Sequence, residues 1–258
     1  MISDIHGCFD EFQRMLDKIG YSDSDRLILA GDHIDRGPKS LEMLRWLERR
    51  PPNVTALLGN HDVEFMESIC RMRAFDAAER LETDAHSAAD TAALYETILY
   101  MLRKREPETA RAFDRYRTLE RLIRSHAVTA LELYAWAAMI WQMPYFVKLT
   151  VNGRPCVVVH AGYREGFTDT AEAAAFYLYA REDAYREGGI EHGMIIAGHT
   201  PTVIPGTFVF NDGRVFRHYD EAKDCIFYNI DCGCVLRQKY PNGRLACIRA
   251  EDARQYYV

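Results

Sequence analysis

The chain has 258 residues, 48% hydrophobic and 27% charged, with a formal net charge of −6 and a pI near 5.9. That length buries a substantial core and predicts one large domain with room for an inserted subdomain. The acidic balance excludes a dedicated nucleic-acid binder, which carries a basic face, but leaves a nucleotide or phosphopeptide substrate open.

In chain order, Met1-Ile2-Ser3 leaves almost no strand before Asp4-Ile5-His6-Gly7, so a short or weakened first strand is expected. Phe12, Met15, Leu16 and Ile19 recur at helical spacing, and Gly20 supplies a stop. Arg26 to Ala30 reads as a buried strand feeding Gly31-Asp32-His33-Ile34-Asp35-Arg36-Gly37. Ser40 to Arg50 is a second amphipathic helix, closed by Pro51-Pro52, and Val54 to Leu58 is a strand ending at Gly59-Asn60-His61-Asp62. Alternating strands and helices predict a parallel sheet with crossover helices.

The middle, about residues 64–142, is rich in Ala, Leu, Glu and Arg and reads as a helical insertion into a single domain. His86 and His126 fall there and are read as packing or surface residues. Strand character returns at Tyr145 to Val151, a hairpin turn follows at Asn152-Gly153, and Pro155 to Val159 leads into His160-Ala161-Gly162. Met194 to Ala197 leads into Gly198-His199-Thr200, and Asp212-Gly213 marks another turn. Cys225 to Ile230 and Arg244 to Arg249 read as strands paired around Asn242-Gly243, which predicts a mostly antiparallel second sheet packed on the first. The seven cysteines are odd in number and scattered, so reduced thiols are expected, Cys232-Gly233-Cys234 included. The most apolar stretch, about residues 128–141, carries Glu132 and is too short to span a bilayer. No membrane association is expected, and a cytoplasmic location is the default.

Each motif cluster couples a glycine to oxygen or imidazole donors at the end of an apolar run, which is how a metal site is built at strand ends. Asp4, His6, Asp32, Asn60, His160 and His199 offer carboxylate, imidazole and amide donors for two divalent ions, with Asp32 able to bridge them. Two such ions clamp a phosphoryl group and lower the pKa of a bridging water, making the nucleophile. The mixed nitrogen and oxygen donors suit manganese, iron, cobalt or zinc alike, and manganese is the ion expected. His61, beside Asn60, is placed to protonate the leaving-group oxygen, with Asp35 holding the imidazolium. Arg36 is the leading phosphate binder and Arg181 the second, because a guanidinium matches phosphate oxygens in bidentate geometry. Arg164 is a weaker candidate, and His33 and Asp62 are read as supporting residues.

These motifs closely resemble the phosphoprotein phosphatase family of the calcineurin-like metallophosphoesterases over nearly the whole chain, least in the helical middle. The resemblance implies an α/β (α+β) fold, a β-sandwich flanked by helices, and single-step hydrolysis at a dinuclear centre. It assigns metal ligation to Asp4, His6, Asp32, Asn60, His160 and His199. It also gives general acid to His61, its partner to Asp35, and phosphate binding to Arg36 and Arg181, beside Asn60. Ser3 replaces the family's first glycine, and Asp62 and Ala161 replace Glu and Gly, as in the bacterial branch. That branch holds both protein phosphatases and symmetrical dinucleoside tetraphosphatases. The expectation favours a serine/threonine protein phosphatase acting on a phosphoprotein or small phosphorylated substrate. The tetraphosphatase is the alternative, and an inactive binding relative the second alternative.

Overall fold

The computed structural model describes residues 1–79 and 87–258, so His86 lies outside the described residues. The chain divides into two compact units, residues 1–60 with 143–258, and residues 61–142.

In the first unit, α1 (Phe9–Ile19) stops at Gly20 in a left-handed C-cap. It buries Phe12, whose ring meets Trp46 of α2 (Ser40–Glu48) edge-on at 4.7 Å. β1 (Leu27–Leu29) and β2 (Val54–Ala56) pair in parallel. The first strand is reduced to a bridge. Ile2 pairs with Leu29 on one side and Cys247 on the other, joining β1 to β8 (Ala246–Arg249) and its antiparallel partner β9 (Arg254–Tyr257). A few backbone hydrogen bonds, such as Ile2 N–H to Ile28 O at 3.0 Å and Ala30 N–H to Ile2 O at 2.8 Å, therefore aim Asp4 and His6.

The second sheet has five strands in the order β3 (Phe146–Val151), β4 (Arg154–Val159), β5 (Met194–Ala197), β7 (Cys225–Asn229) and β6 (Phe216–Asp220). Its centre is parallel, β4 to β5 to β7, and its two edges are antiparallel. This corrects two expectations. The sheet is mixed rather than mostly antiparallel, and β7 and β8 do not pair with each other. The buried β7 needs a neighbour on both sides, which β5 and β6 provide, and a 3-10 turn at Cys234–Leu236 carries the chain away before β8. Asp212 and Gly213 do form a turn, both with left-handed backbone.

Side chains of β4 alternate between two cores, as the two-residue strand period requires. Cys156 and Val158 pack with Ile28, Leu57, Ile196 and Ile248 between the sheets. Val157 and Val159 face the other way, onto Ala180, Ala184 and Tyr185 at the end of α8 (Thr170–Tyr179) and in α9 (Asp183–Arg186). Each fully buried branched side chain stabilises by about 1.5–3 kcal/mol. The architecture is a β-sandwich flanked by helices.

The second unit is helical: α3 (Asn60–Glu79, whose first residue belongs to the other unit), α4 (Ala88–Arg105), α5 (Pro107–Ala112), α6 (Thr118–Arg124) and α7 (Ala130–Trp141). Capping boxes start α4 at Ser87 with Asp90 and α7 at Thr129 with Glu132. Tyr95, Ile98, Phe113, Leu133 and Trp136 are buried, and Ala130 N–H donates to Thr91 Oγ1 at 2.8 Å, tying α7 to α4. Among the described residues, no helix is long and apolar enough to cross a membrane.

Candidate metal centre

Two adjacent strand ends carry the centre of the site. β1 runs into Gly31 and Asp32, and β2 into Gly59 and Asn60. A Cβ on Gly31 would lie 2.7 Å from both Gly59 Cα and His160 Nδ1. One on Gly59 would lie 2.1 Å from the Asp32 nitrogen, so both positions must be glycine for these ends to touch. Asp4, His6, Asp32, Asp35, Arg36 and His199 all hold left-handed backbone, with φ between 47° and 73°. Such conformations cost of order 1–3 kcal/mol each and persist only where the surroundings fix them. Six of the thirteen non-glycine residues with such backbone among the described residues lie in the motif clusters.

The imidazoles are oriented from behind. His6 Nδ1 lies 3.0 Å from the Ile34 carbonyl and His160 Nδ1 lies 3.0 Å from the Ala30 carbonyl. A carbonyl only accepts, so each Nδ1 carries the proton and each Nε2 presents a lone pair forward. The His6 Nε2 faces the Arg36 guanidinium and Asp32, and the His160 Nε2 faces Asn60 and His199. His160 Nε2 is 3.1 Å from Asn60 Oδ1 and 3.1 Å from His199 Nδ1. Asp32 stands between the two histidines, Oδ2 at 3.5 Å from His6 Nε2 and Oδ1 at 3.5 Å from His160 Nε2.

Asp32, His160 and His199 keep their donor atoms within 4.8 Å of one another and are all buried. Ligand-type atoms gathered this closely can share one cation. Donors about 2.1 Å from one ion at right angles stand about 3 Å apart, which matches the spacing here. The donor set fits divalent metal.

Asp4 accepts from the His199 backbone N–H at 3.0 Å, and a Cβ on Gly198 would fall 2.0 Å from its Oδ2. Burial pushes the Asp4 carboxyl up to about 6, with Asp32 adding to the rise and His160 opposing it. Asp231 is a residue that sequence reasoning missed. It is buried, its Oδ1 accepts from Gly233 N–H at 2.9 Å, and burial together with the Asp4 charge raises its carboxyl well above the usual range. The signal was present: Asp231-Cys232-Gly233 follows the apolar run of β7, as Asp32 follows β1. Crowded buried carboxylates of this kind are what a bound cation relieves.

The remaining residues sort as follows. Arg36 is exposed and places Nη1 3.2 Å from His6 Nε2. Arg181 is exposed too, with Nη1 3.5 Å from Thr200 Oγ1. Asp35 is buried, and its backbone N–H donates to Ser40 Oγ at 3.2 Å. His61 opens the second unit, with its ring 4.0 Å from that of Tyr116. Asp62 sits in the first turn of α3, where a negative charge suits the helix dipole. Arg164 is a surface ion-pair residue, donating to Glu172 at 2.7 Å and Glu187 at 2.8 Å. His192 pairs with Asp224 at 3.2 Å, and His218 packs against Tyr185 and Phe208.

A family model described as calcineurin-like phosphoesterase matches residues 1–202. Among curated proteins, a symmetrical bis(5'-nucleosyl)-tetraphosphatase of Buchnera aphidicola subsp. Baizongia pistaciae is 52% identical over 66 residues, covering 25% of this chain and 24% of the relative. Its counterpart in Haemophilus ducreyi is 39% identical over 83 residues, covering 32% of this chain and 31% of the relative. The matched stretches thus span about a quarter to a third of those relatives' length. A crystal structure of a metallophosphoesterase from Sphaerobacter thermophilus superposes with a TM-score of 0.52 at 16% identity, covering 100% of this chain and 86% of that one, a likeness of fold.

Proposed function

The chain belongs to the calcineurin-like phosphoesterases, and on that ground we propose that it is a two-metal phosphoesterase that cuts dinucleoside tetraphosphates symmetrically. The observation that supports the chemistry is the convergence of ligand-type oxygen and nitrogen atoms around Asp32 and His160, a donor set that fits divalent cations. What favours the dinucleotide is the activity named for the relatives at 52% and 39% identity. The protein phosphatase ranked first on sequence gives way here to the reading held as its alternative.

In this reading Asp4, His6, Asp32, Asn60, His160 and His199 hold two divalent ions, manganese foremost. When bound, the ions supply Lewis acidity towards phosphoryl oxygens and lower the pKa of water towards neutrality. The chain's own residues do the rest. His6 and His160 are locked by carbonyls into the tautomer that presents Nε2. Arg36 and Arg181 are exposed guanidiniums that bind the polyphosphate by bidentate hydrogen bonds, and Asn60 adds an amide donor. His61 is assigned the proton donor to the leaving oxygen, and Asp35 its partner. A leaving ADP is a good leaving group and needs that proton less than an alkoxide does. The helical unit, residues 61–142, serves in this proposal as an insertion in the sequence of the catalytic domain.

The test is product analysis. The Mn-loaded protein with diadenosine tetraphosphate should release two ADP, and chelation should abolish it. Release of ATP and AMP would refute the symmetrical cut.

A further inference from the structure

Apart from the proposed metal donors, the first unit buries a second group of ligand-type side chains. Cys8, Glu11 and Cys234 keep their sulfur and carboxylate atoms within 4.8 Å of one another, and the two cysteines are only 4% and 2% exposed. Cys8 caps α1 two residues after His6, and Cys234 opens the 3-10 turn three residues after Asp231. Neither thiol is part of the proposed chemistry.

Two thiols and a carboxylate first suggest a soft metal. The surroundings oppose it, because Glu11 is already held by Arg14 at 2.9 Å and by a close contact from Arg237. Two guanidiniums on the only carboxylate repel a further cation, and two thiols alone do not make a metal site. What remains is a pair of sulfurs, distant in sequence and close in space.

We infer that Cys8 and Cys234 are a modification site, at which a peroxide forms a reversible disulfide that lowers the affinity of the neighbouring centre for divalent metal. One sulfur attacks a peroxide oxygen, the O–O bond breaks, and the first oxygen leaves as water with a sulfenic acid formed. The second sulfur attacks that sulfenic sulfur, the S–O bond breaks, and the second oxygen leaves as water. Two electrons pass from the sulfurs to the peroxide, and the two thiol protons end in the two waters. Hydrogen peroxide is little larger than water and so suited to a buried pair.

The coupling to metal follows from how little slack the two segments have. A disulfide brings sulfurs to about 2.05 Å, so these must move together. Gly7 O accepts from Lys39 N–H at 3.0 Å and His6 O from Gly37 N–H at 2.9 Å. A Cβ on Gly7 would stand 2.9 Å from Ser40 Oγ, and one on Gly233 would stand 2.4 Å from Val203 Cγ1. Motion at Cys8 and Cys234 is therefore passed to His6 and Asp231. Shifting the support of a metal ligand typically costs 10–100-fold in affinity.

The effect on metal rests on the proposed centre; the disulfide itself does not. The full chain, stripped of metal, is treated with hydrogen peroxide, freed of excess oxidant and digested with trypsin without reduction. The expected product joins the peptides ending at Arg14 and Arg237, about 2 Da below their summed mass, with fragmentation assigning the link among Cys225, Cys232 and Cys234. It should persist in Cys232→Ser, vanish in Cys8→Ser and Cys234→Ser, and be removed by dithiothreitol. Titration with Mn²⁺ should show affinity falling about tenfold or more on oxidation of the wild type and unchanged in Cys8→Ser. Absence of the linked peptide, a link through Cys232, or a link with unaltered Mn²⁺ affinity overturns the inference. Failure of the reduced protein to bind Mn²⁺ would instead indict the metal centre, while the peptide link would still report on the disulfide.

Discussion

Replacing Asp4 by Asn should make the metal-free protein more stable at neutral pH while weakening its hold on metal. Asp4 is 3% exposed, and its carboxyl rises from 3.8 to about 6, chiefly through burial. Because the folded value lies above the unfolded one, the protonated side chain favours the fold below pH 3.8, and that contribution is lost as pH rises through about 6. The full displacement is worth about 3 kcal/mol, at about 1.4 kcal/mol per pH unit. Asn keeps an oxygen for the His199 N–H and carries no charge at any pH. The assay is thermal unfolding of chelator-treated wild type and Asp4→Asn from pH 3.5 to 8. The two should melt together near pH 3.5 and separate between pH 3.8 and about 6, the variant higher by roughly 6–12 °C above that. Asp231, whose carboxyl is raised by burial and by the Asp4 charge, loses the second contribution in the variant, which widens the difference in the same direction. With saturating Mn²⁺ the order should reverse, since only the wild type gains the full binding energy. A variant that melts at or below the wild type at pH 7 to 8 without metal would refute the reasoning.

Asp32→Asn should lower metal content and activity together, measured by elemental analysis beside turnover; full stoichiometry in that variant would contradict bridging. His61→Asn should leave metal content intact and depress turnover by about 10²–10⁴-fold for alkyl phosphates, and far less for nitrophenyl phosphate or a dinucleotide. Equal losses across those leaving groups would argue against its role as acid. Ile196→Ala, at a fully buried position between the sheets, should cost about 2–5 kcal/mol in urea unfolding without changing which metal is bound.

Much of the catalytic half was legible because its chemistry sits at strand ends, where a short apolar run and a glycine identify both the element and the turn. Leu27–Leu29 before Gly31-Asp32 and Met194–Ala197 before Gly198-His199 are of this kind. Strand pairing was less legible. Asn242-Gly243 suggested a hairpin, but the hydrogen bonds of β7 go to β5 and β6, and a run of apolar residues does not name its neighbours. The parallel centre of the second sheet was hidden for the same reason, since crossovers as different as α8 and the loop before β6 separate its strands. Asp231 escaped because it lacks the histidine or asparagine that marked the other clusters, though it too ends a strand. Cys8 and Cys234 illustrate the limit most simply: their nearness depends on how distant loops return to one place, which no local pattern records.

The central claim is a two-metal centre acting on a dinucleotide, and one competition tests it most directly. The Mn-loaded protein is given diadenosine tetraphosphate and a phosphoserine peptide side by side, and kcat/KM is measured for each with products identified. The account predicts a preference for the dinucleotide with two ADP as products, lost on chelation. Preference for the phosphopeptide, or cleavage to ATP and AMP, would contradict it.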